Sequence, residues 1–198
     1  MRFLTVLLCL ILSFNVLAKD MMDLRTFGSK AGATLYLFTS PSCPHCGTFH
    51  KEIFPDIMSR YVKTNKAELV IVDMPYDWLA MKASMLMRCL PEEKSTQMMN
   101  WLYENQSEWS LGSSDVALKR YARKTMGMTG KKVEACLQNE ALFRSISDQR
   151  DQLSKMYDVH GWPTIVVRNG NIVEKYSGTD KRAILDGLEM YINGNQEK

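Results

Sequence analysis

The stretch TSPSCPHCGTF, residues 39 to 49, sets two cysteines two residues apart directly behind an apolar run, ATLYLF (33 to 38). Such a pair can hold a metal, staple the chain or exchange disulfides with other thiols, and the flanking sequence has to decide among the three. The preceding run is short and rich in branched and aromatic residues, the composition of a buried strand. Behind the cysteines, CPHCGTFHKEIFPDIMSRYVK places Phe49, Ile53, Ile57 and Tyr61 on one face of a helix, with a kink expected at Pro55. A second apolar run, ELVIV (68 to 72), completes a strand–helix–strand unit whose strands are expected to run parallel.

Further along, TIVVRNGNIVEKY sets Asn169-Gly170 between two strand-like runs, a strong hairpin signal. A last helix from about Asp180 carries Ile184, Leu185, Leu188, Tyr191 and Ile192 on one side. Between Asp77 and Tyr157 there is no strand signal, only helical stretches punctuated by Pro91, an SLGSS loop and GMTG, with Thr129 as an N-cap. The predicted class is therefore α/β, with residues 19–76 and 146–198 as two parts of one core and 77–145 as an all-helical insertion. Only Lys19 to Gly32 precede the first strand, too few for a dimerisation domain, so a monomer is expected.

Compartment decides what a cysteine can do. The amino terminus, MRFLTVLLCLILSFNVLAKD, has one Arg, an apolar run from Phe3 to Ala18, then Lys19 and Asp20. It reads as a secretory signal peptide over residues 1–18, with Val16 and Ala18 at the small-residue positions before cleavage. The run falls short of the roughly 20 residues that span a bilayer. Cys9 is lost with it, which leaves Cys43, Cys46, Cys89 and Cys136, an even number in an exported chain. A domain of about 180 residues buries a core without depending on disulfides. The net charge of +3 is too small for a nucleic-acid footprint.

Cys43 falls where a strand ends and a helix begins, so its sulfur meets unpaired backbone N–H groups and the positive end of the helix dipole. Pro44 suits the first helical position, and His45 adds a positive neighbour. Such surroundings lower a cysteine pKa from about 8.5 to roughly 3.5–7.5. A thiol of that kind is a good leaving group, which makes its disulfide easy to reduce. Cys46, one turn on, is the resolving thiol. Structural zinc wants four ligands and usually a second close pair, whereas Cys89 and Cys136 stand alone. Covalent haem attachment needs CxxCH, and position 47 is Gly. An inert disulfide across so short a loop restricts little chain entropy. No metal and no cofactor are expected.

FTSPSCPHC behind a strand, a long helical stretch and then VHGWPTIVVRNGNIV resemble the DsbA-like thiol:disulfide oxidoreductases of the thioredoxin superfamily, over nearly all of the chain after residue 18. The resemblance implies a thioredoxin fold with an inserted all-helical subdomain. It makes Cys43 and Cys46 the redox pair, with Pro44 and His45 between them, and Pro163 a cis-proline beside it. Trp162 and Thr164, which flank that proline, are then substrate contacts. It further implies a periplasmic enzyme that oxidises cysteine pairs in reduced exported proteins and is reoxidised by a DsbB-like membrane partner. A disulfide isomerase or reductase is the alternative enzyme. A metal-handling or chaperone-like binding protein, using Met81, Met85, Met98, Met99, Met126 and Met128, is the non-enzymatic alternative, although such methionines more often fill a helical core.

Two positions depart from the family pattern. DsbA has a buried acid six residues ahead of the first cysteine, where this chain has Leu37; the residue before the cis-proline is usually small or branched, and here it is Trp162. Cys89 and Cys136 are either two separate buried thiols or, as in some DsbA-like relatives, a structural disulfide. Such a bridge would close about 48 residues and contribute about 4 kcal/mol in the chain-entropy model. His50 is expected as a solvated helix residue and His160 as a polar turn residue near the proline loop.

Overall fold

The computed structural model describes residues 24–29 and 32–193. The signal-peptide reading of residues 1–18, Cys9 included, lies outside them. Five strands, β1 (Arg25–Phe27), β2 (Ala33–Thr39), β3 (Ala67–Asp73), β4 (Thr164–Asn169) and β5 (Ile172–Ser177), form one sheet in the order β1-β3-β2-β4-β5. The pair β2–β3 is parallel, and every other pair is antiparallel. The strands β2, β3 and β4 sit centrally because alternate residues are apolar on both faces. Leu35, Leu37, Leu69, Ile71, Ile165 and Val167 join the larger apolar cluster, while Phe38, Val72 and Val166 join a smaller one on the opposite face. Strand β1 had no signal in the sequence: RTF contains no apolar run, and it is a strand because its backbone pairs with Leu69–Ile71.

The hairpin turns one residue later than the Asn169-Gly170 pair suggests. Asn169 still pairs with Ile172, so the loop is Gly170-Asn171. Gly170, at φ +60, takes the left-handed position that opens a type II′ turn.

Nine α-helices are described. α1 (Pro44–Glu52) is followed by α2 (Phe54–Ile57), which passes into a π-helical turn at Met58–Val62. The break between α1 and α2 falls at Ile53, where Pro55 has no N–H to continue the ladder. Between β3 and β4 lie α3 (Trp78–Arg88), α4 (Glu92–Glu104), α5 (Gln106–Trp109), α6 (Val116–Lys124), α7 (Gly130–Leu137) and α8 (Glu140–Met156); α9 (Lys181–Asn193) ends the described chain. Side-chain caps start four of them: Asp77 accepts from Ala80 N–H at 2.7 Å, Thr129 from Lys132 at 3.2 Å, Asn139 from Leu142 at 3.0 Å and Asp180 from Ala183 at 3.0 Å.

The expected boundary at 145/146 falls inside α8. This helix runs unbroken because it serves both parts: Ile146 packs in the larger cluster, and Leu153, two turns on, packs with Phe38, Val72 and Val166 on the other face of the sheet. A buried ion pair fixes the same region, with Arg88 Nε and one terminal nitrogen each 2.9 Å from Asp73 Oδ2 at the end of β3. Arg88 also donates to Gln149 Oε1 of α8 at 2.7 Å.

Cys89, at the end of α3, and Cys136, in α7, are joined in a disulfide with Cα atoms 6.2 Å apart, linking helices 47 residues distant in sequence. The six methionines Met81, Met85, Met98, Met99, Met126 and Met128 are all buried in the core. Among the described residues no group of three or more His, Cys, Asp or Glu is placed to hold a metal ion, and no helix is long and apolar enough to cross a membrane.

Candidate active site

The apolar strand β2 ends at Thr39, the chain turns through Ser40–Ser42, and Cys43 caps α1 with extended backbone, φ −77 and ψ 122. Pro44 then opens the helix at no cost in hydrogen bonds. Pro44 and His45 are exposed, whereas Cys46 lies one turn in and is 1% exposed. Both cysteines are free thiols.

Their surroundings pull the two apart. Cys43 is drawn down to about 6, first by the S–H of Cys46, which donates to its sulfur; burial opposes this, and the backbone N–H groups of Cys46 and His45 and the charge of His45 add to it. Cys46 is pushed far above the usual thiol range, first by burial and then by its bond to Cys43; the Ser40 N–H, 3.4 Å from its sulfur, and the Thr39 hydroxyl act the other way and do not prevail. One sulfur is therefore a thiolate near neutral pH, and the other keeps its proton. The sequence reading credits the helix terminus and His45; the structure puts the neighbouring thiol first.

Leu37 is buried in the larger apolar cluster, so no carboxylate occupies the position of the DsbA acid. The groups beneath Cys46 are instead hydroxyls. Thr39 Oγ1 lies 2.8 Å from the hydroxyl of Tyr103, a wholly buried phenol whose pKa is raised well above its ordinary value by burial and by the proximity of Cys46. His50 departs from expectation. It is 8% exposed, its ring stacked between Phe54 and Tyr103 with both centroids at 4.6 Å, and Nε2 lies 3.1 Å from Asn100 Oδ1. Burial drops its pKa to about 4, so the imidazole is neutral at pH 7. Its polar type hid this role, which depends on Asn100 and Tyr103, about fifty positions away.

Two residues of the insertion clamp the loop, and neither had a signal in the sequence. Gln106 Nε2 donates to the carbonyls of Pro41 at 2.8 Å and Cys43 at 2.7 Å. Its Oε1 lies against Gly47, where a Cβ would collide with it. Asp77, while capping α3, also accepts from the Ser42 hydroxyl at 2.5 Å. The insertion thus sets the position of Cys43 as much as the sheet does.

On the opposite side the peptide between Trp162 and Pro163 is cis. The Trp162 carbonyl, not its indole, meets Cys43, 3.9 Å from Sγ. The indole stacks on Tyr76 at 5.8 Å and 25°, and Tyr76, 54% exposed, donates to Ser42 O at 3.4 Å. The two rings form an aromatic ledge beside the thiol and wall a groove of about 270 Å³ that Arg150 and His160 also line. His160 is exposed and lies 2.8 Å from Asp158. Thr164 corrects an expectation: it is 1% exposed, its hydroxyl donating to Gly161 O at 2.9 Å and lying 2.7 Å from Ser177 Oγ, so its side chain presents nothing to a substrate.

Residues 25–187 match the family model described as Thioredoxin. The chain belongs to the thioredoxin family. Curated relatives named protein-disulfide oxidoreductases in Rickettsia conorii and Rickettsia bellii are 26% and 27% identical to it over 159 and 150 residues, or 80% and 75% of this chain. The chain spans 57% and 58% of the length of those relatives. Among solved structures, alpha-DsbA1 of Wolbachia pipientis superposes with a TM-score of 0.78 at 18% identity, over 87% of this chain and 92% of its own. Oxidised BdbD of Bacillus subtilis superposes with a TM-score of 0.73 at 19% identity, over 86% and 94%. The architecture is thus a thioredoxin fold of the DsbA kind, its helices inserted between β3 and β4.

Proposed function

We propose that this thioredoxin-family protein is a periplasmic thiol:disulfide oxidoreductase that oxidises cysteine pairs in exported proteins through Cys43 and Cys46. The observation that carries the reading is the asymmetry of the pair: a Cys43 with its pKa near 6 above a buried Cys46 that holds its proton.

In the oxidised enzyme the two sulfurs are bonded to each other. A substrate thiolate attacks Cys43 Sγ, the sulfur nearer solvent; a bond forms between substrate and Cys43, and the Cys43–Cys46 bond breaks. Cys46 leaves and takes a proton, which its surroundings favour. A second substrate thiolate then attacks the substrate sulfur of the mixed disulfide, and Cys43 leaves as the thiolate that the Cys46 S–H and the α1 terminus stabilise. Two electrons pass from the substrate dithiol to the enzyme. Of the two substrate protons, one ends on Cys46 and the other in solvent. The Trp162 carbonyl and the Tyr76–Trp162 ledge give an incoming extended chain a backbone partner and an apolar wall. Reoxidation passes the two electrons on to a DsbB-like membrane partner, and the periplasmic setting rests on the apolar leader of residues 1–18.

The test mixes oxidised protein with a dithiol peptide. One peptide disulfide should form per enzyme disulfide consumed, Cys43→Ser should abolish the reaction, and Cys46→Ala, its Cys43 first converted to a mixed disulfide with glutathione, should release glutathione to a single-thiol peptide and hold that peptide on Cys43. Unreacted peptide, with the enzyme disulfide intact, would reject the proposal.

A further inference from the structure

From Val116 to Val133 the chain carries six cations, Lys119, Arg120, Arg123, Lys124, Lys131 and Lys132, and not one carboxylate. The net charge of the whole chain is only +3, so the rest of the molecule is net acidic and positive charge is concentrated on α6, α7 and the turn between them. The fold gathers these residues onto one surface. Lys119, Arg120, Arg123 and Lys124 line a groove of about 550 Å³ together with Val116 and Met128. Across Met128 the surface continues into a second groove that includes Lys94 and Lys132.

Two acids at the edge of this surface are already engaged. Asp115 lies 3.5 Å and Glu134 2.9 Å from Lys119, and Asp115 also bonds Lys82. Arg120, Arg123 and Lys124 are exposed and make no ion pair among the described residues. Val116, on the groove wall beside them, is 63% exposed, and Leu111, five residues earlier in the loop entering α6, is 75% exposed. Leu118 and Ala122, on the other face of α6, are buried, so the helix is anchored and presents a fixed outer face.

Cations bordering exposed aliphatic groups on a helix held at the surface suit the headgroup layer of an acidic bilayer, where the charges meet phosphates and the aliphatic tips enter the acyl boundary. A nucleic acid, or a protein segment made of acids alone, would match the charge but leave Val116 and Leu111 without an apolar partner. We propose that the α6–α7 surface docks the protein onto a membrane of anionic phospholipid. This surface uses neither Cys43 nor Cys46 and does not depend on the redox reading; where that reading also holds, docking keeps the redox pair close to a membrane-bound oxidant.

The experiment measures co-sedimentation of the protein with vesicles of phosphatidylcholine alone and of phosphatidylcholine containing phosphatidylglycerol. Binding is expected only to the second, weakening as salt rises. The triple variant Arg120→Glu/Arg123→Glu/Lys124→Glu should bind at least about tenfold more weakly, whereas the matched reversal Lys63→Glu/Lys155→Glu/Arg182→Glu should bind as the unaltered protein does. Val116→Asp should also weaken binding, which a purely ionic contact would not require. Circular dichroism and denaturant unfolding of both triple variants check that they fold, and Cys43→Ser should retain vesicle binding whatever becomes of the redox reaction. Equal binding to both vesicles, equal loss in the two triple variants, full displacement by inorganic phosphate, or retention on heparin without vesicle binding would each overturn the proposal.

Discussion

Replacing Cys46 with alanine removes the S–H that does most to hold Cys43 as a thiolate, and this should move the Cys43 pKa upward from about 6 toward the ordinary thiol value of about 8.5. The backbone N–H groups and His45 remain, so the new midpoint should lie between those two values. If it rises by about two units, the thiolate fraction at pH 7 falls from about nine-tenths to about one-tenth. The alkylation rate at pH 7 will not report that change faithfully. A more basic thiolate is a better nucleophile, and with a Brønsted slope of about 0.4–0.5 the remaining thiolate reacts roughly six to ten times faster, nearly cancelling the loss. The assay must therefore follow alkylation, or thiolate absorbance, across the whole pH range and read the midpoint. An unchanged midpoint near 6 in Cys46→Ala, with a large rise in His45→Ala instead, would refute the argument and return the effect to the imidazole.

Three other perturbations follow from the same geometry. Gln106→Ala and Gly47→Ala both break the clamp on Pro41 and Cys43, so each should cost about 1–2 kcal/mol in denaturant unfolding and the double variant should cost clearly less than their sum; full additivity would mean that the clamp is not shared. His50 binds a proton below about pH 6.5 when unfolded but only below about pH 4 when folded, so stability should fall as pH drops through that window, by up to about 3 kcal/mol. His50→Phe, which keeps the stack with Phe54 and Tyr103, should flatten that part of the stability–pH curve; an unaltered slope would place the sensitivity elsewhere. Trp162→Val removes the ledge on Tyr76 but keeps the carbonyl that meets Cys43, so it should broaden the range of dithiol peptides oxidised while shifting the reduction potential by less than about 30 mV. A larger shift with unchanged peptide preference would make Trp162 a tuner of the redox pair.

What was legible in the sequence was whatever is written in local pattern. The apolar runs at β2 and β3, the kink at Pro55, the cap Thr129, the start of the last helix near Asp180 and the hairpin near Gly170 all follow from periodicity or turn chemistry within a few residues. The place of Cys43 at a strand–helix junction was equally legible, because the strand ends and the helix begins on either side of it. Strand β1 was not, since its three residues are a strand only by pairing with β3. The supports of the site were hidden for the same reason. Gln106, Tyr103 and Asp77 act on residues 35 to 65 positions away, and polar residues in a helical stretch read as solvated unless their partners are known. His50 and Thr164 both lie inside where a surface place was expected, one buried between rings and the other turned inward from the proline loop.

The reduction potential of the Cys43/Cys46 couple, measured by equilibration with a glutathione redox buffer, tests the central claim most directly. A Cys43 thiolate favoured by its neighbours stabilises the reduced enzyme, so the potential should lie above about −180 mV, toward the value near −120 mV known for DsbA. A potential near the −270 mV of thioredoxin would make the couple a reductant and contradict the account.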